Sequence, residues 1–116
     1  GGELSRFLLA LASVQQDDEG ATFIFDEVDA GVGGMTLNKL AEKLYALAET
    51  RQMLLITHWP QLAARARRHF QIVKMVRDGE TFTLCSPLNK EDRHAELARM
   101  AGGGEQGEAL ARSLEK

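Results

Sequence analysis

The sequence predicts a layered α/β fold with a partly parallel sheet and a β-hairpin in its second half. Three observations carry that expectation. Thr22-Phe23-Ile24-Phe25 and Met53-Leu54-Leu55-Ile56 are short apolar runs, each preceded by a helical pattern, with the length of strands in a parallel sheet. Asp78-Gly79 separates two strand-like stretches and is a type I′ hairpin signal. The order helix, strand, helix, strand, helix, hairpin, helix is that of α/β layers.

Taken in order, Leu4, Phe7, Leu8, Leu11 and Ala12 recur at helical spacing, so an amphipathic helix is expected from Leu4 to about Gln16. Asp17-Asp18-Glu19-Gly20 ends it in a polar turn. The first apolar run follows, expected to be buried on both faces, and leads into Asp26-Glu27. Ala30 to Gly34 reads as a flexible loop. Leu37, Leu40, Ala41, Leu44, Leu47 and Ala48 mark a second helix reaching about Thr50. The second apolar run, also expected to be buried on both faces, ends at Thr57-His58. Pro60 is placed to start a short helix through about Ala66. Phe70 to Arg77 and Thr81 to Pro87 are the hairpin strands. Lys90 to Met100 is a third long helix, Gly102-Gly103-Gly104 ends it, and Glu105 to Lys116 is helical again.

Composition narrows the function classes. The 14 basic residues are outnumbered by 17 acidic ones, so no global field favours DNA. The local run Arg65, Arg67, Arg68 and His69 reads as a solvated helix end. The single cysteine, Cys85, excludes a disulfide framework within the chain, fits a reducing cytosol and is expected to pack. No apolar run approaches the ~20 residues of a membrane span. The opening Gly1-Gly2-Glu3-Leu4-Ser5, without an initiator Met, leads us to expect a piece of a longer protein.

The chemistry gathers at strand ends, where open α/β sheets bind ligands. Asp26-Glu27 is a carboxylate pair leaving an apolar strand. Asp26 suits Mg²⁺, held through a water, because Mg²⁺ takes one or two carboxylates besides phosphate oxygens. Glu27 suits a general base acting on an attacking water. A lone acid ending a strand is commonly just a loop charge; the doublet followed by Val28-Asp29-Ala30-Gly31 is less ordinary. His58 follows the second strand. A histidine there is more often structural than catalytic, but one at the edge that carries Asp26-Glu27 could hydrogen-bond a γ-phosphate. Gly1-Gly2-Glu3 opens a helix, which makes it either a plain N-cap or an anion site of backbone N–H groups.

Taken together and in order, these motifs resemble those of ABC ATPases. Gly1-Gly2-Glu3-Leu4-Ser5-Arg6 is similar to the family's signature motif, Thr22-Phe23-Ile24-Phe25-Asp26-Glu27 to its Walker B strand, and Leu55-Ile56-Thr57-His58 to its switch-histidine loop. Val28-Asp29-Ala30 after the glutamate resembles the SMC-like branch. Gly31-Val32-Gly33-Gly34, Thr57-His58-Trp59-Pro60-Gln61 and Glu96-Leu97-Ala98-Arg99-Met100 look like the RecN family within it.

The resemblance implies that residues 1–116 are the C-terminal segment of a P-loop NTPase-type ATPase head. It implies ATP and Mg²⁺, with Asp26 at the metal, Glu27 and His58 in catalysis, and Gly1, Gly2 and Glu3 contacting ATP held by a second head. A homodimer through an ATP sandwich, action on DNA in double-strand-break repair and recombination, no membrane partner, and a bacterial cytoplasmic, nucleoid-associated location follow from the same likeness. Two departures stand out: Gly33 occupies the D-loop Asp position, and Trp59 stands where Leu is usual. No G-x-x-x-x-G-K-[ST] occurs in the chain, so these residues alone are expected to be inactive. An ABC transporter ATPase subunit is the rival reading, weakened because Pro-Thr and Ser-Ala-Leu-Asp do not follow Glu27. A non-catalytic ABC-like interaction module is the other, weakened by the presence of Asp26, Glu27 and His58.

Overall fold

The computed structural model describes residues 20–26 and 34–116. The chain divides into two compact units, the first ending at His58 and the second starting at Trp59. Strand β1 (Phe23–Asp26), helix α1 (Gly34–Ala48) and strand β2 (Met53–Ile56) belong to the first. β1 and β2 pair in parallel, from Phe23 opposite Met53 to Asp26 opposite Ile56. Parallel neighbours need a crossover, and α1 lies in the segment that makes it. Leu37, Leu40, Ala41 and Leu44 are its buried stripe, at the i, i+3, i+4, i+7 spacing read from the sequence. Each fully buried Leu is worth about 1.5–3 kcal/mol.

The start of the sheet is pinned by polar contacts. The Phe23 N–H donates to the Gln52 carbonyl at 3.0 Å, and Thr22 Oγ1 donates to Gln52 Oε1 at 2.8 Å. The buried Arg51 guanidinium lies 5.5 Å from the centre of the Phe23 ring, a cation–π distance. These contacts hold the register that sets the far ends of both strands.

The expectation of strands buried on both faces does not hold. Phe23, Phe25, Met53 and Leu55 share a half-buried face, whereas Ile24, Leu54 and Ile56 are 67%, 47% and 53% exposed on the other. Among the described residues the sheet has two strands and no second layer over that face. The apolar pattern is that of a central strand, but such a strand is buried only when both its faces are covered.

The second unit holds α2 (Pro60–Ala63), β3 (Phe70–Arg77), β4 (Glu80–Pro87), α3 (Lys90–Met100) and α4 (Gly104–Leu114). Pro60 starts α2, which is shorter than expected; its last turn loosens into Arg65→Leu62 and Ala66→Ala63 backbone bonds. β3 and β4 pair antiparallel from Phe70 opposite Pro87 to Arg77 opposite Glu80. Asp78 and Gly79 both have positive φ, 52° and 79°, as a type I′ turn demands. Asn89 caps α3, its Oδ1 accepting from the Asp92 N–H at 2.8 Å. Gly102, Gly103 and Gly104 all have positive φ, a backbone path that residues with a Cβ rarely take, and the chain turns there from α3 into α4. Ala63, Leu97, Ala98 and Ala111 form the buried cluster where α2, α3 and α4 meet.

Cys85, expected to pack, is exposed. It pairs with Ile72 in a hairpin that is open on both sides: Ile72, Val73, Val76, Phe82 and Leu84 are exposed too. Alternation identified the ribbon but not whether anything lies on it. Arg65, Arg67 and Arg68 are exposed after α2, as expected of a solvated helix end, whereas His69, the last of that run, is half-buried. A parallel pair, an antiparallel hairpin and packed helices together make the mixed α/β architecture anticipated from the sequence.

Candidate functional site

The register of β1 and β2 builds the rim of the candidate site. Asp26 is the last residue of β1 and pairs with Ile56, the last residue of β2. Parallel neighbours run the same way, about 4.8 Å apart, so both strands deliver their C-terminal ends to one edge. The chain then passes through Thr57 to His58. Asp26 and His58 therefore leave the same end of one sheet, from adjacent strands.

Exposure alternates along both strands. Asp26 lies on the open face with Ile24; beyond exposed Ile56, Thr57 is half-buried and His58 exposed. An open carboxylate at a strand end keeps its hydration and carries little desolvation cost. That matches Mg²⁺, which dehydrates reluctantly and retains waters beside one or two carboxylates and phosphate oxygens. A triphosphate needs more than this rim, because the backbone cradle of a G-x-x-x-x-G-K-[ST] loop is not among these 116 residues. Glu27, Gly1, Gly2, Glu3 and Gly33 lie outside the described residues, as does the helix expected from Leu4 to Gln16. Trp59 N-caps α2 with extended backbone (φ −96°, ψ 122°), and its carbonyl accepts from the Leu62 and Ala63 N–H groups.

The second unit carries polar clusters that sequence reasoning missed. Glu96, buried to 7% exposure, accepts from Arg99 Nε and Nη2 at 2.8 and 2.6 Å and from Gln71 Nε2 at 2.8 Å. The Arg99 hydrogen bonds lower its pKa, against the opposing effect of burial. Arg93 Nη2 donates to the carbonyls of Ala63 and Ala64 at 3.1 and 2.9 Å, and to that of Ala66, closing the frayed end of α2. His69 has its pKa lowered, first by burial and then by Arg93. His94 meets Glu115 and Glu108, one at each ring nitrogen, and its pKa is raised by those hydrogen bonds, Glu115's first. The Glu96–Arg99 pair could have been found from its i, i+3 spacing on a helix. The His94 contacts could not, because they depend on how α4 folds back after the glycines.

No family model matches the chain. Comparison with curated proteins does yield relatives. The DNA repair protein RecN of Deinococcus radiodurans is 44% identical over 115 residues, covering 99% of this chain and 20% of that protein. The chain matches a segment of RecN. RecN of Bacillus subtilis is 45% identical over 106 residues, covering 90% of this chain and 18% of its own length. RecN of Mycobacterium tuberculosis is 43% identical over 121 residues, covering 98% and 20%. The chain thus spans about a fifth of the length of the RecN proteins it matches. Among solved structures, a chain from work on ATP-driven dimerization and DNA stimulated activation of SMC ATPases aligns with a TM-score of 0.60. That alignment covers 80% of this chain and 57% of the other at 22% identity, so the RecN-like segment shares its fold.

Proposed function

We propose that residues 1–116 form the C-terminal segment of the ATP-binding and ATP-hydrolysing head of a RecN-like protein acting in DNA double-strand-break repair and recombination. The observation that carries this reading is the ordered set of motifs joined to the β1–β2 register. The strand ending in Asp26, which Glu27 follows in the sequence, and the strand leading to His58 are parallel neighbours ending at one rim. Identity of 43–45% to RecN along nearly the whole chain supports the same reading.

In this proposal Asp26 would hold Mg²⁺, which would supply charge neutralisation to the phosphates. Glu27 orients the attacking water and accepts its proton, a role worth ~10²–10⁴-fold in rate. His58 donates a hydrogen bond to the γ-phosphate and helps fix the line of attack. Gly1, Gly2 and Glu3, at the start of the preceding helical pattern, contact the γ-phosphate of ATP held by a second head, where backbone N–H groups favour an anion. The partner is a second copy of the head, closed by ATP and released by hydrolysis. DNA is engaged through the longer protein, in the bacterial cytoplasm and at the nucleoid. No helix among the described residues is long and apolar enough to cross a membrane.

The 116 residues lack the phosphate cradle, so alone they neither hydrolyse ATP nor bind it tightly. Isothermal titration of this chain with Mg-ATP tests that half of the proposal: no measurable heat is expected, and micromolar binding contradicts it. A longer RecN-like protein containing the chain is expected to bind Mg-ATP, and Asp26→Asn to raise the Mg²⁺ concentration its turnover needs.

A further inference from the structure

His94 stands on α3 between two carboxylates of the neighbouring helix. Nε2 lies 2.7 Å from Glu108 Oε2, and Nδ1 lies 2.6 Å from Glu115 Oε2. Glu108 belongs to α4 and Glu115 is its C-terminal cap residue, seven positions and about two turns further along. A single imidazole thus spans much of the helix. All three side chains are partly open, at 30%, 47% and 33% exposure, so solvent protons reach them.

Hydrogen-bond inventory decides what this arrangement means. A neutral imidazole has one N–H and one bare lone pair, and an ionised carboxylate only accepts. A neutral His94 could satisfy one of its neighbours and would set a lone pair against the other's oxygen. The imidazolium has two N–H groups and satisfies both, each as a short charge-assisted bond. Other charges do not compete for the ring. Arg93 is turned to the carbonyls after α2, and Glu96 is engaged by Arg99 and Gln71. Glu91, one turn earlier on α3, and Glu105 on α4 form no ion pair with His94 among the described residues, and Glu115 and Glu108 are the charges that move its pKa. α2, the remaining helix packed here, carries no charged residue.

We propose that His94 is a protonation-dependent latch that fastens the last helix, α4, to α3 through Glu108 and Glu115. When the ring is charged, both ends of the contact close and α4 is fixed in position along α3. When the ring loses its proton, one contact opens, and α4 is held by the remaining one and by the buried cluster of Ala63, Leu97, Ala98 and Ala111. The raised pKa of His94 agrees in sign. A histidine whose folded value is raised stabilises fully below its ordinary value of 6.5, and that stabilisation is lost as pH rises through the higher folded value. The window therefore opens at about pH 6.5 and runs upward from there.

The latch is independent of the nucleotide rim and is tested on the 116-residue chain without nucleotide. Imidazole ¹⁵N NMR should show His94 with both nitrogens protonated at pH 6 and titrating above 6.5. Glu108→Gln and Glu115→Gln should each move that titration back toward 6.5. Hydrogen-exchange protection factors, corrected for intrinsic rates, should fall several-fold across Gly104–Leu114 as pH rises from 6 to 8.5. In His94→Gln, which keeps size and some hydrogen bonding but no charge, that protection should be low at both pH values. A His94 that titrates at 6.5, or α4 protection that follows the same pH course in wild type and His94→Gln, overturns the latch. A wild-type chain with no α4 protection at pH 6 overturns it as well.

Discussion

Gly107 faces the backbone of Ala98 so closely that a Cβ placed on it would lie 2.6 Å from the Ala98 carbonyl oxygen. That oxygen is fixed, since it also accepts from the Gly103 N–H at 2.9 Å. In an open helix, Gly→Ala gains up to about 1 kcal/mol. Here the obstacle is backbone and cannot turn aside, and overpacking of that kind costs about 1–3 kcal/mol. The clash outweighs the propensity gain, so Gly107→Ala should lower stability in urea unfolding. A more stable Gly107→Ala chain would show that α3 and α4 do not approach as described.

Glu96 and Arg99 should respond unequally to truncation. Glu96 is buried with three donors on it, whereas the Arg99 side chain is 70% exposed. Glu96→Ala strands Gln71 and Arg99 and should cost about 1.5–3 kcal/mol. Arg99→Ala, mostly a surface loss, should cost less, about 1 kcal/mol. The lowered pKa of Glu96 gives the pH sign. Its contribution is present above its ordinary value of 4.5 and is lost as pH falls through the lower folded value. Urea midpoints at pH 7 and pH 3 should differ more in wild type than in Glu96→Gln.

Arg93 and His69 offer a test by titration. The guanidinium holds the carbonyls after α2 and also lowers the pKa of His69, second to burial. Arg93→Met keeps the stem and removes the charge. It should raise the His69 pKa in NMR titration without bringing it fully to 6.5, because burial remains. The same change should destabilise the chain by about 1.5–3 kcal/mol through the charge-assisted hydrogen bonds lost at those carbonyls.

Much of this fold is legible in the sequence, because local chemistry wrote it there. Asp78-Gly79 gave the hairpin and its turn type, and the stretch from Lys90 to Met100 reads as a helix and is α3. Leu37, Leu40, Ala41 and Leu44 gave the buried stripe of α1. Burial of the strands was misread because Ile24, Leu54 and Ile56 report a preference for cover, not its presence. Cys85 was misread for the same reason. At the candidate site, the sequence singled out Asp26 and His58, and only the pairing register could say that their strands are parallel neighbours. The latch was invisible because His94, Glu108 and Glu115 meet through a reversal at three glycines that no periodicity encodes.

In the proposed RecN-like protein, Glu27, next after Asp26 in the sequence, is the base for ATP hydrolysis. The decisive measurement is made on Glu27→Gln in that protein, following Mg-ATP binding and single-turnover hydrolysis side by side. The expected result is binding close to wild type, hydrolysis slowed by ~10²-fold or more, and heads accumulating in a closed, ATP-bound dimer. Wild-type hydrolysis by Glu27→Gln would contradict the assignment.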